Sequence, residues 1–328
     1  VTTTTKAEAS AGSAPQSAER DEFRATIDLA HAGPTAVSVR YELAGPKNAP
    51  LLLVAGGISA GRHVLANAND KSDGWWQVQS VAFRGHRCLA IDWLGADGEL
   101  DLPIDASDQA KAILATLDYL GIPAASAFVG ASYGAMVGMH CAAIAPRRIG
   151  ALLAISGADR AHPFVSAQRA LQRQSVELGE RLGSPEAGVA LARKLAILSY
   201  RTAEEFGERF SATVTIEADR VHASAEPYLD HMGEQHSARM SAAAYRRLSE
   251  SIDLHRIDPA AINVPATFVA ALSDQLVPAS DVEALAAAVP NGRFISIPSL
   301  YGHDAFLKEE RSIETIICNF LNSLEQRK

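Results

Sequence analysis

Cysteine is scarce in this chain: among 328 residues there are three, Cys88, Cys141 and Cys318, widely spaced and set in apolar surroundings. An odd, scattered set excludes a disulfide framework and reads as reduced core thiols, which fits a reducing cytoplasm. Basic charge is short as well. Lys and Arg number 30 against 38 Asp and Glu, a formal net charge of -8, so the concentrated basic surface that a nucleic-acid partner needs is missing. No apolar run approaches the ~20 residues that cross a bilayer, so no membrane partner is expected. No H-E-x-x-H, paired C-x-x-C or acidic calcium loop occurs, so neither a metal nor a bound cofactor is expected. There is no internal repeat. A small-molecule substrate is what these absences leave.

The chain is 48% hydrophobic, enough for one large catalytic domain or a core domain with a sizeable insertion. Residues 1–22, rich in Ala, Ser, Thr and Glu and without an apolar stretch behind a basic start, read as a disordered tail. From Val37 onward short β-rich runs alternate with helical patterns: Val37–Leu43, Leu51–Ala55, Arg87–Asp92, Ser126–Val129, Ala151–Ser156, Ala266–Ala271 and Arg293–Ile297. That alternation predicts an α/β fold, a mostly parallel sheet with flanking helices. Ala110, Ile113, Leu114, Leu117 and Leu120 recur at helical spacing and mark a crossover helix. From about Arg160 to Ile257 no buried strand is legible and charged and apolar residues mix at helical spacing. The expected organisation is a core domain of residues 23–159 and 258–328, interrupted by a helical cap of residues 160–257.

Gly130-Ala131-Ser132-Tyr133-Gly134 is a G-x-S-x-G run between a strand and an apolar helical stretch. Alone the motif is weak; in that context it predicts a nucleophile elbow and an α/β-hydrolase fold. A serine at so sharp a turn takes strained backbone angles, and the glycines let neighbouring elements approach without a Cβ. A serine hydroxyl needs a base, and the base an orienting carboxylate. In this fold the chain order is Ser, Asp or Glu, then His, in loops after later strands. Asp274 follows Ala266–Ala271 and His303 follows Arg293–Ile297, so Ser132, Asp274 and His303 form the expected triad. Asp92 precedes the serine, Asp281 reads as a helix opener and His140 as a core histidine. The oxyanion donors are expected to be the N–H of Tyr133 and one from the loop Gly56-Gly57-Ile58, either Ile58 or Gly57.

Together with the elbow, Leu51–His63, Gly74-Trp75-Trp76, Ala90–Gly95, Ala192-Arg193, Leu198-Ser199-Tyr200-Arg201 and Tyr301-Gly302-His303-Asp304-Ala305-Phe306-Leu307 resemble the homoserine O-acyltransferases of methionine biosynthesis. The resemblance runs from about residue 35 to 325. It implies ping-pong transfer from acyl-CoA, a co-substrate, through an acyl-serine to the L-homoserine hydroxyl. It carries Arg193, Tyr200 and Asp304 over as contacts of the amino-acid substrate, and it implies a homodimer formed through the insertion. Read without it, Arg193 is a helix-surface arginine and Asp304 a helix-opening aspartate. A guanidinium and a carboxylate would nevertheless suit a substrate carrying a carboxylate and an ammonium. One departure from the family pattern is that Leu94-Gly95 runs directly into Ala96-Asp97-Gly98-Glu99, without the family's longer Gly-Ser-Thr-Gly-Pro loop. Likeness to the compact members favours succinyl-CoA over acetyl-CoA. An L-serine O-acyltransferase and an esterase-like hydrolase with the same triad are the alternatives.

Overall fold

The computed structural model describes residues 18–326. It contains an eight-stranded sheet in the order β1-β2-β4-β3-β5-β6-β9-β10. The strands are β1 (Ala18–Leu29), β2 (Gly33–Ala44), β3 (Leu51–Ala55), β4 (Arg87–Ile91), β5 (Ala127–Ala131), β6 (Leu152–Ile155), β9 (Ala266–Ala271) and β10 (Gly292–Ile297). From β4 to β10 every pairing is parallel; β1 and β2 join antiparallel at one edge. This is the α/β-hydrolase arrangement.

Both faces of the sheet are buried, and successive residues show it. Leu51, Leu53 and Ala55 of β3 enter one apolar cluster, while Leu52 and Val54 enter the other, as a pleat of period two requires. The first cluster is closed by helices α1 (Ala106–Tyr119) and α2 (Tyr133–Ile144). Asp105 caps α1 by accepting from the N–H groups of Ser107 and Asp108, and the Asp108 side chain answers with a bond to the Asp105 N–H. That reciprocal box fixes where the helix starts, so Ala110, Ile113 and Leu117 are buried against the sheet.

Between β6 and β9 the chain leaves the sheet for α3 (Pro163–Arg181), α4 (Pro185–Tyr200), α5 (Ala203–Arg209), an exposed hairpin of β7 (Val214–Glu217) and β8 (Arg220–Ala223), α6 (Glu226–Ser237) and α7 (Ala242–Leu254). The two ends of this excursion meet. Arg160 bridges Arg256, and the Ile257 N–H donates to the Asp159 carbonyl at 3.0 Å. After β9 come α8 (Ala279–Ala288), then α9 (Ala305–Lys308) and α10 (Glu310–Glu325), whose Ile313, Ile317 and Leu321 close the second cluster.

One sequence expectation fails. Of the tail assigned to residues 1–22, residues 1–17 lie outside the described residues, and residues 18–22 are the start of β1. Nothing apolar marks them because polar contacts hold them. Arg20 Nε donates to the buried Glu42 carboxylate at 2.7 Å, and the Tyr41 hydroxyl donates to Glu19 at 2.6 Å, both across the ladder to β2.

Candidate active site

Ser132 sits between β5 and α2 with φ 55° and ψ -118°, a left-handed backbone that costs a non-glycine residue about 1 to 3 kcal/mol. Its surroundings impose that geometry. A Cβ on Gly130 would stand 2.3 Å from the Gly134 carbonyl oxygen, and one on Gly134 would stand 2.2 Å from that of Ala55. The G-x-S-x-G spacing thus follows from the backbone of β3, β5 and α2 passing at contact distance. The Ser132 N–H donates to the Ile155 carbonyl and the Gly134 N–H to that of Gly56, each at 2.8 Å. Gly134→Ala is expected to cost about 3 kcal/mol, because backbone must move to admit the methyl; urea unfolding measures it.

Ser132 Oγ lies 2.7 Å from His303 Nε2, and His303 Nδ1 lies 2.7 Å from Asp274 Oδ2. The three expected residues are therefore brought into one hydrogen-bonded line. Asp274 follows β9, and its other oxygen accepts from the Leu276 and Val277 N–H groups at 2.9 and 3.0 Å. These three donors leave the carboxylate one orientation. His303 is buried beside it. Burial opposes its charge, yet the Asp274 carboxylate and its hydrogen bond, with the Asp304 charge, raise its pKa above the ordinary histidine value. Gly302, at φ 58°, lets this loop pass the end of α4, where a Cβ would meet the Tyr200 carbonyl oxygen at 2.6 Å.

Tyr133 and Ile58 both face a cavity of about 230 Å³ that Ser132 and His303 also line. Tyr133 is fixed by its ring, which meets Trp93 edge-on at 4.9 Å, and by a hydrogen bond of its hydroxyl with Ser251. The Ile58 loop is fixed through Gly57, whose carbonyl accepts from Trp93 Nε1 at 3.0 Å and from the Ala60 N–H at 2.9 Å. One indole thus braces both candidate oxyanion donors.

Arg193, Tyr200 and Asp304 line the same cavity. The Arg193 guanidinium lies 5.2 Å from the centre of the Tyr200 ring, which stands 6.0 Å from the His303 ring. Asp304 is ion-paired with Arg201 at 2.8 Å, and Arg201 holds Glu205 at 2.6 Å. Sequence reading gave Arg201 no role; the contact joins α4 to the loop after β10, and nothing local in either segment announces it. His140 is bonded to His255 at 3.1 Å, and burial lowers the pKa of both, that of His255 to about 3. Cys88, Cys141 and Cys318 are free thiols. Among the described residues no cluster of three or more His, Cys, Asp or Glu is placed to hold a metal ion, and no helix is long and apolar enough to cross a membrane.

Residues 50–310 match the α/β hydrolase fold family. A homoserine O-succinyltransferase of Xanthomonas campestris pv. campestris is 49% identical over 93% of this chain and 85% of its own. A homoserine O-acetyltransferase of Chlorobium chlorochromatii is 30% identical over 70% and 69%. Among solved structures, a homoserine O-acetyltransferase from Staphylococcus aureus superposes with a TM-score of 0.80 at 20% identity, covering 93% of this chain and 96% of that one. The esterase E22 superposes at 0.83 and 17%, covering 93% and 100%; at such identities the likeness concerns the fold. By its sequence relatives and its fold, this chain belongs to the homoserine O-acyltransferase family of the α/β hydrolases.

Proposed function

We propose that the chain transfers a succinyl group from succinyl-CoA to the hydroxyl of L-homoserine in methionine biosynthesis. The observation that carries this is the unbroken Asp274–His303–Ser132 line opening on a cavity lined by a cation, Arg193, and an anion, Asp304; the succinyltransferase named above supports the acyl group. Ser132 Oγ attacks the thioester carbonyl while His303 Nε2 takes its proton, and the Tyr133 and Ile58 N–H groups receive the developing oxyanion. The C–S bond breaks, CoA leaves with that proton, and Ser132 is acylated. His303 then deprotonates the homoserine hydroxyl, which attacks the ester carbonyl; the acyl–Oγ bond breaks and His303 returns that proton to Ser132.

Arg193 takes the homoserine carboxylate. Asp304 takes its ammonium, and Tyr200, under the Arg193 guanidinium, lines the same cavity. Asp304 and Glu205 share the single guanidinium of Arg201, so Arg201 does not answer Asp304 alone. We read residues 160–257 as the cap that holds the acceptor and keeps water from the acyl-serine. CoA release from succinyl-CoA should be slow alone and rise at least tenfold on adding L-homoserine, and rise less with L-serine. Release indifferent to either amino acid assigns the chain to the esterase-like reading instead.

The cap also exposes apolar side chains on two helices: Phe164, Leu171 and Leu178 seven residues apart on α3, and Leu191, Leu195 and Leu198 on α4. Apolar side chains left exposed in this way suit an interface, and we assign them to a homodimer joined through the cap. Wild type should sediment as a dimer and L171E/L195E as a monomer. We place the reaction in the cytoplasm, where three free thiols stay reduced.

A further inference from the structure

The oxyanion donor contributed by the Ile58 loop stands on a backbone that does little to hold itself. Gly57 precedes it, and a Cβ there would meet nothing within 4 Å. Space does not demand glycine at this position, and glycine leaves the peptide that follows free to turn. A trans peptide is planar, so the Gly57 carbonyl and the Ile58 N–H point in opposite directions. Whatever holds the carbonyl therefore aims the N–H.

Two donors hold it. The Ala60 N–H, at 2.9 Å, belongs to the same loop and moves with it. Trp93 Nε1, at 3.0 Å, comes from the segment after β4 and ties the loop to the core. Trp93 lines a second cavity of about 370 Å³, on whose wall Ile58, Ser59 and Ala60 also stand, and takes no part in the wall of the Ser132 cavity. The loop is thus a partition between the two cavities, with the Gly57 carbonyl turned to the Trp93 side and the Ile58 N–H away from it. That N–H has no acceptor among the described residues.

Trp93 is held in turn by Gln109 of α1, which is fully buried. The Leu94 N–H donates to Gln109 Oε1 at 2.8 Å, and Gln109 Nε2 donates to the Leu94 carbonyl at 3.1 Å. One side-chain amide takes both backbone groups of Leu94, as a neighbouring strand would, and the buried indole beside it, edge-on to Tyr133, has one place to sit.

Resting on the acyl-transfer reading above, we infer that Trp93, fixed by Gln109, is a positioning residue that keeps the Gly57–Ile58 peptide turned with its N–H toward the oxyanion. Without the indole N–H the peptide turns more freely, and each turned molecule lacks one donor and presents a carbonyl oxygen in its place.

The test follows acylation of Ser132 by 4-nitrophenyl acetate as released 4-nitrophenol, so it depends on neither the acyl donor nor the acceptor. Trp93→Phe should lower the acylation rate constant about 100-fold, the span of one lost oxyanion donor, with the half-saturating ester concentration within about twofold of wild type. The midpoint of the acid limb of its pH profile should stay where it is, because the Asp274–His303 pair is untouched. Gln109→Met should act in the same direction, at least about fivefold, and add less than about twofold to Trp93→Phe, because both act through one bond. Replacing Trp93 by 3-benzothienylalanine, which keeps the fused rings and puts sulfur where the N–H was, should match Trp93→Phe and decides the matter where phenylalanine leaves a chain that does not fold. An acylation rate within about threefold of wild type in either Trp93 variant, a shifted midpoint, or Gln109 and Trp93 losses that multiply overturns the inference. Failure of the function reading shows separately, as wild-type CoA release indifferent to homoserine.

Discussion

Alanine at Ser132 is expected to lower kcat for homoserine-dependent CoA release by about a million-fold, with the melting temperature little changed. The hydroxyl is the one group that bonds to the acyl carbon, and without it His303 has no proton to take. What survives is binding and the oxyanion donors, worth about 10³ to 10⁴ over water in serine enzymes of this type. Alanine keeps the same backbone and the close passage of Gly130 and Gly134, so the fold is not at stake. A loss below tenfold, read by CoA release, would remove Ser132 from the reaction.

Asparagine at Asp274 should cost about 10⁴-fold, by a different route. Oδ1 of Asp274 accepts two backbone N–H groups, and Oδ2 accepts His303 Nδ1–H. An amide can satisfy the two N–H groups only by turning its NH2 toward His303. That selects the imidazole tautomer with the proton on Nε2, which cannot accept one from Ser132. The pH profile carries a second signature. The base is neutral His303, so activity falls as pH drops through its folded pKa. In wild type that pKa is raised, because Asp274 outweighs burial, and the acid limb of kcat/KM should have its midpoint above about 6.5. In Asp274→Asn burial remains and the carboxylate is gone, so the midpoint of the residual activity should move below the wild-type value.

The elbow was legible because its chemistry is local: five consecutive residues must contain two glycines where backbones touch, and the sequence states them. Asp274 and His303 were legible through their position after late strands, a consequence of sheet topology that periodicity reveals. The wall charges were not. Arg169 meets Asp253 across 84 residues and Tyr133 meets Ser251 across 118, and a polar residue on an amphipathic helix looks the same whether it faces water or a cavity. The strand Ala18–Leu29 was missed for a related reason. Its first half is held by ladder bonds and by Arg20 and Glu19 reaching β2, with no apolar alternation to give it away.

The meeting of Asp159 with Ile257 bears on how such an enzyme could arise. A segment of about a hundred residues that departs and returns at one hydrogen bond imposes no spacing on the sheet. It can be exchanged for another without shifting the register of β6 against β9. A short linker in its place would leave Ser132, Asp274 and His303 after their own strands and strip away Arg193, Tyr200 and Arg201 in one event. The side chains on the cap side of the cavity therefore travel as a cassette, inherited or replaced apart from the triad.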